Sequence, residues 1–230
     1  MKPRQIVANG GRFYVDTWED PKLQRHLLSL PGVKSPRICL LAGAVGDNPS
    51  AIEKFYRELG GYDCRLTHLN IYNPVTKDFA DYFAGMDIVY VNGGSTRNLI
   101  TVWRDWGIDQ ALRTAWEQGV VMSGTSAGMN CWFDACITDA YPPEMLPMTC
   151  IGLIAGSACA HYNQRPDRRP TFRRLLEEGV IPSPGYAADD DVTLHFIGDT
   201  LHEAVAAKPG MGAWRLQGAE ETAIPVRLLD

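Results

Sequence analysis

An α/β fold with a mostly parallel, three-layer sheet is what this sequence predicts. Three observations point to it. Short apolar runs alternate with amphipathic helical patterns, each apolar run ends in a glycine-containing turn, and one of those turns holds a serine flanked by glycines. Arg37 to Ala42 is a short apolar run closed by Gly43, the pattern of a buried strand. Asn48-Pro49-Ser50 then opens a helix. Asn48 has the side chain of an N-cap, Pro49 suits the first turn, and Ile52, Phe55, Tyr56 and Leu59 form its apolar face before Gly60-Gly61 ends it. Cys64 to Ile71 alternates as a strand. Met86 to Val91 is the next buried strand and runs into Asn92-Gly93-Gly94. Ser95 or Thr96 caps a helix from Arg97 to about Trp106, and Ile108 to Gln118 is a second helix closed by Gly119. Val120-Val121-Met122 then leads into Ser123-Gly124-Thr125-Ser126-Ala127-Gly128.

The rhythm weakens after about residue 134, where Pro142, Pro143, Pro147, Pro166 and Pro170 predict loops. A helix returns at Thr171 to Glu178. Short strands are predicted at Val192 to Ile197, Leu201 to Ala206, Ala213 to Leu216, and Ile224 to Leu228. No linker or internal repeat interrupts the chain, so residues 1–230 read as a single α/β domain.

Composition narrows the function classes. The formal net charge is −5, the wrong sign for a nucleic-acid surface. One basic cluster stands out: Arg165, Arg168, Arg169, Arg173 and Arg174. It reads either as a solvated helix start or as an electropositive lip for an acidic small substrate. No run approaches the ~20 apolar residues of a membrane span, and the N-terminal MKPRQIVANGGRF has no signal-peptide core. Cys39, Cys64, Cys131, Cys136, Cys150 and Cys159 show neither a CxxC pair nor metal-ligand spacing. A reducing, cytoplasmic setting without structural disulfides is the expectation. No metal or organic cofactor is expected, nor a nucleic-acid or membrane partner. A monomer and a homodimer are equally arguable.

In open α/β sheets, sites form beyond the carboxyl ends of strands. Gly124-Thr125-Ser126-Ala127-Gly128 sits at such an end and has the G-x-S-x-G spacing of a nucleophile elbow. The small neighbours let strand and helix approach closely, and the turn lifts the hydroxyl clear of the backbone. The following helix would aim N–H groups and a positive dipole end at a developing oxyanion. The other reading is a tight packing turn. Met129, Trp132 and Phe133, just after the elbow, read as helix-face core. A nucleophilic serine needs a base. His26, beside Arg25 on a helical pattern, reads as surface, while His68, His195 and His202 lie in or near strands and read as structural. His161 differs. It follows the apolar, small-residue run Ile151 to Ala160 and begins the polar stretch Tyr162-Asn163-Gln164, so it can face the same sheet edge as Ser126. For the acid that fixes the imidazole tautomer, Asp134, Asp139, Glu144 and the run Asp189-Asp190-Asp191 are all open.

Taken in order, Tyr90-Val91-Asn92-Gly93-Gly94, the elbow Ser123 to Trp132, Ala160-His161-Tyr162 and the acidic loop resemble the peptidase E (aspartyl dipeptidase) family of serine peptidases, with cyanophycinase a more distant relative. The resemblance spans roughly Arg37 to Leu201. It implies a class I glutamine-amidotransferase-like α/β fold, with Ser126 as nucleophile, His161 as general base, and the backbone N–H groups of Gly94 and Ala127 as oxyanion donors. The family's third member is a glutamate after a Gly-rich turn. Here that stretch is Gly185 to Asp191, where Asp190, then Asp189, is the counterpart. An aspartate is one methylene shorter, so the loop must sit closer to His161. The family also carries an Asp after the elbow helix, matched best by Asp139. It reads an N-terminal aspartate with an arginine after the histidine, a place held by Arg168 and Arg169.

The expected reaction is hydrolysis of short peptides, including Asp-X dipeptides, through a Ser126–His161–acid triad. Two rivals stand beside it. One is a different serine hydrolase, an esterase or a cyanophycinase-like isopeptidase. The other is a non-catalytic binding or regulatory member of the same fold.

Overall fold

The computed structural model describes residues 2–12, 21–141 and 144–230, so Pro142 and Pro143 lie outside the described residues. In chain order its elements are β1 (Gln5–Asn9), α1 (Lys22–Ser29), β2 (Arg37–Leu41), α2 (Pro49–Leu59), β3 (Arg65–Leu69), α3 (Phe79–Ala84), β4 (Ile88–Val91), α4 (Thr96–Trp106), α5 (Ile108–Glu117), β5 (Val121–Thr125), α6 (Ala127–Asn130), β6 (Phe133–Tyr141), β7 (Glu144–Thr149), β8 (Ile154–Cys159), α7 (Arg168–Glu177), β9 (Gly185–Ala188), β10 (Val192–Ile197), β11 (Thr200–Ala206), β12 (Ala213–Gln217), β13 (Glu220–Ile224) and β14 (Val226–Leu228).

Two sheets result. The larger has the order β14-β11-β10-β1-β5-β4-β2-β3. Its run from β1 through β5, β4 and β2 to β3 is parallel, and β10 joins β1 antiparallel. Period-two alternation sends side chains to both faces. Val7, Leu40, Tyr90 and Val121 meet Leu23 and Leu27 of α1 and Phe55 and Leu59 of α2 on one side. Ile6, Ala8, Leu41, Val91 and Met122 meet Phe83, Leu99, Trp103, Leu112 and Trp116 on the other. Each such large side chain taken out of water contributes roughly 1.5–3 kcal/mol. The predicted caps hold: Asn48 accepts the Ser50 amide at 2.9 Å and Ser95 accepts the Asn98 amide at 3.2 Å.

The second sheet, of order β13-β12-β9-β8-β6-β7, departs from the loops expected after residue 134. It packs Phe133 and Tyr186 onto the same core as α4 and α5, and α7 covers its far side with Phe172, Leu175 and Leu176. Pro147 misled the reading of this region because β7 is an edge strand, where a residue without an N–H is tolerated. The single strand predicted at Ile224 to Leu228 is two. Pro225 separates β13 from β14, and the two strands belong to different sheets. The elbow helix is also shorter than expected. α6 is one turn, so Trp132 and Phe133 lie beyond it, yet both are fully buried with Met129, as expected of core.

One buried group gives this fold a pH dependence. His195 on β10 lies under α1, and burial first, then the neighbouring His26 and His202, push its pKa down to about 4. The unfolded chain, with an ordinary value near ~6.5, binds the proton more readily. Its contribution is therefore complete above that value and is lost as pH falls toward 4. Melting at pH 7.5 and pH 5 should give a lower Tm at pH 5, with the gap narrowed in His195→Gln.

Candidate active site

The site forms where β1, β5 and β8 end together. The glycines of the elbow are required by contact: a Cβ on Gly124 would stand 2.5 Å from the Gly128 carbonyl oxygen, and one on Gly128 would stand 2.2 Å from that of Val91. Between them Ser126 is forced to φ 58 and ψ −109, a strained conformation held by the Asn9 carbonyl, which accepts its amide at 3.0 Å. His161, at φ 54 immediately beyond β8, is fixed by its own amide on the Gly10 carbonyl at 2.9 Å.

These backbones bring three side chains into line. His161 Nε2 lies 2.8 Å from Ser126 Oγ, and His161 Nδ1 lies 2.6 Å from Asp190 Oδ1. Gln164 donates to the other oxygen, Asp190 Oδ2, at 2.5 Å. Burial alone would raise the Asp190 pKa, but the hydrogen bonds from His161 and Gln164 outweigh it and hold the carboxyl below its usual value. An ionised carboxylate only accepts, so Nδ1 must carry the proton and Nε2 is left bare toward the serine hydroxyl. The Gly93–Gly94 loop packs against the serine: a Cβ on Gly93 would lie 3.2 Å from Ser126 Cβ. Gly94, at φ 142, leaves no room for a side chain beside Ala44.

The sequence reading left out the turn after β1. Asn9 Oδ1 accepts from Thr125 Oγ1 at 2.8 Å and from the Gly11 amide at 3.0 Å, and its Nδ2 donates to Thr193 Oγ1 at 3.0 Å. It thereby ties the elbow to the strand that follows the acid. A Cβ on Gly11 would stand 2.0 Å from Asp190 Oδ1 and 2.4 Å from the His161 ring. This bare glycine is what lets the shorter aspartate reach the imidazole. The signal was available: Asn9-Gly10-Gly11 repeats the Asn92-Gly93-Gly94 pattern after an apolar run. Gly11→Ala should push His161 and Asp190 apart. We expect a kcat loss of about 10²-fold, the usual cost of a misplacement near 1 Å, with KM much less affected, measured by steady-state peptide hydrolysis.

The remaining candidates lie elsewhere. Asp189 accepts the Gly212 amide at 2.9 Å, and Asp191 pairs with Lys208 at 3.2 Å. Asp139 pairs with Arg168 at 2.8 Å and not with His161. Asp134 accepts the Gly156 amide at 2.9 Å, and Glu144 is exposed on β7. Neither arginine forms an open lip. Arg168 is buried and also donates to the Ala160 carbonyl. Arg169 is held by Glu221 and lies over the rings of Tyr162 and Trp214.

Comparison with known proteins agrees with this architecture. The model of peptidase family S51 matches residues 6–204. The chain belongs to peptidase family S51, the peptidase E family. A Bacillus subtilis (strain 168) relative, the uncharacterized peptidase YgaJ, is 39% identical over 230 residues, covering 98% of this chain and 99% of its own. Two solved structures share the fold. A peptidase from an acI-B1 Actinobacterium has a TM-score of 0.72 at 18% identity, covering 97% of this chain and 95% of its own. A Listeria monocytogenes EGD-e protein, provisionally named peptidase E, has a TM-score of 0.59 at 15% identity, covering 96% and 98%. Membership of S51 makes a peptidase activity the function to explain. Among the described residues no helix is long and apolar enough to cross a membrane.

Proposed function

We propose that this S51 peptidase is a serine peptidase acting on short peptides, with Ser126 as nucleophile, His161 as general base and Asp190 as the orienting acid. The observation that carries the reading is the unbroken chain Ser126 Oγ–His161–Asp190, with contacts of 2.8 and 2.6 Å. Oγ attacks the scissile carbonyl carbon as Nε2 takes its proton. The tetrahedral oxyanion is received by the amides of Gly94 and Ala127. The imidazolium returns the proton to the leaving amine as the C–N bond breaks, leaving an acyl-serine. Water, deprotonated by His161, then releases the acid and regenerates Ser126. Because α6 is a single turn, the oxyanion contribution rests on individual amides rather than a helix dipole, about 10²–10³ in kcat for one donor.

An assembled triad supports the catalytic reading over a purely structural turn. The esterase and isopeptidase readings use the same triad, and what favours a peptidase over them is membership of family S51. Selection of an N-terminal aspartate through Arg168 is not part of the proposal, because that side chain is committed to Asp139 and Ala160. Arg169, beside the residue after His161, would have to leave Glu221 to serve. The test is hydrolysis of a dipeptide panel, including Asp-X, Ala-X and Arg-X, by wild type and His161→Ala. Cleavage of at least one member by wild type alone supports the reading, and equal rates in His161→Ala overturn it.

A further inference from the structure

Away from the elbow, the strand that leaves the Asp189–Asp191 loop carries a second cluster that the peptidase reaction does not use. His195 on β10 and Glu203 on β11 stand opposite each other across the antiparallel pair. His26 of α1 lies over both. It is half-buried rather than on the open surface its sequence pattern suggested. His195 Nδ1 is 4.0 Å from Glu203 Oε1, and His26 Nε2 is 3.9 Å from the same oxygen. All three atoms lie within 4.8 Å of one another.

We propose that His26 Nε2, His195 Nδ1 and Glu203 Oε1 bind a divalent transition-metal ion of the zinc class, fastening α1 to the β10–β11 pair. Two observations beyond proximity point to a ligand. His195, 3% exposed, donates from Nε2 to Gln5 Oε1 at 3.0 Å. The carboxamide oxygen can only accept, so Nδ1 is the bare nitrogen, and it has no hydrogen-bond partner among the described residues. His26 Nε2 is likewise buried without a partner. Two unpartnered imidazole nitrogens therefore converge on one carboxylate oxygen. The supporting contacts are those of a metal site. Gln5 fixes the His195 tautomer, and Arg227 holds the other carboxylate oxygen, Oε2, at 2.7 Å, leaving Oε1 free to turn inward.

The donor set suits the ion. Two imidazoles and a carboxylate are one of the established three-ligand sets for zinc, with a fourth position for water. Bonds of ~2.0–2.1 Å place tetrahedral ligands about 3.3 Å apart, so no pair of donors has to approach by more than about 1.5 Å.

The test is calorimetric titration of chelator-treated full-length protein with Zn²⁺, repeated on His26→Gln and Glu203→Gln, with circular dichroism to confirm folding. His26 and Glu203 are on the margin of the core, so these variants should fold. One equivalent bound with micromolar or tighter Kd is expected, weakened at least tenfold in each variant. A wild-type Tm rise of roughly 5 °C at hundredfold excess over Kd should accompany it and be absent from the variants. No binding at micromolar Zn²⁺, or one equivalent retained unchanged in both variants, overturns the proposal.

Discussion

Ser126→Ala is expected to lower kcat/KM for every peptide the enzyme cleaves by roughly 10⁴–10⁶-fold, the range seen when a triad nucleophile is removed. The fold should survive. Ser126 holds φ 58 whatever its side chain, because the Asn9 carbonyl and the two elbow glycines impose that turn. Alanine bears the same strain as serine there and only loses the hydroxyl. Circular dichroism and Tm should match wild type while steady-state hydrolysis disappears. A variant that stays folded and keeps more than a tenth of wild-type kcat/KM contradicts the role given to Ser126.

The second large effect is Asp190→Asn, expected to cost about 10³–10⁴-fold in kcat, with KM less affected. The cause is hydrogen-bond polarity rather than size. Gln164 already donates an N–H to Oδ2. An asparagine in the native orientation would set its own NH₂ against that donor, and the clash is relieved either by turning over Gln164, whose Oε1 can accept, or by turning over the asparagine. Turning the asparagine amide over presents NH₂ to His161 Nδ1, and this is the orientation that accounts for the loss. The ring must then carry its proton on Nε2, and it can no longer accept from Ser126. A second change tests this explanation. Gln164→Glu supplies an acceptor for the asparagine NH₂ and lets its oxygen face Nδ1. The double variant should recover at least tenfold over Asp190→Asn. A double variant no better than the single one would place the loss in something other than the tautomer.

How much of this was legible in the sequence varies with the kind of signal. Much of the parallel half was readable because β2, β4 and β5 are apolar runs closed by glycine and α2 and α4 carry N-caps at the right offset, Asn48 and Ser95, whereas β1 and α3 have no such signal in the reading. The elbow was readable because its G-x-S-x-G spacing directly follows an apolar run, Val120 to Met122. The second sheet was not. Of its strands only β12 was predicted outright, and Pro147 is permitted only because β7 is an edge strand, a fact of topology that no local window contains. The choice among Asp189, Asp190 and Asp191 also belongs to tertiary structure. Their neighbours on the chain are the same, but His161, just past β8, and Gly212 and Lys208, at the two ends of the β11–β12 loop, claim one carboxylate each. The arginine cluster misleads for the same reason: its charge is visible in the sequence, while Asp139 and Glu221, which engage Arg168 and Arg169, are 29 and 52 residues away.

The central claim is that His161 activates one serine. A serine-directed phosphonate followed by peptide mass spectrometry tests it most directly. The account predicts a single stoichiometric adduct on Ser126, forming in step with loss of peptide hydrolysis and absent from His161→Ala. An enzyme that cleaves peptides yet takes no adduct on Ser126, or is inactivated by an adduct on another residue, would contradict it.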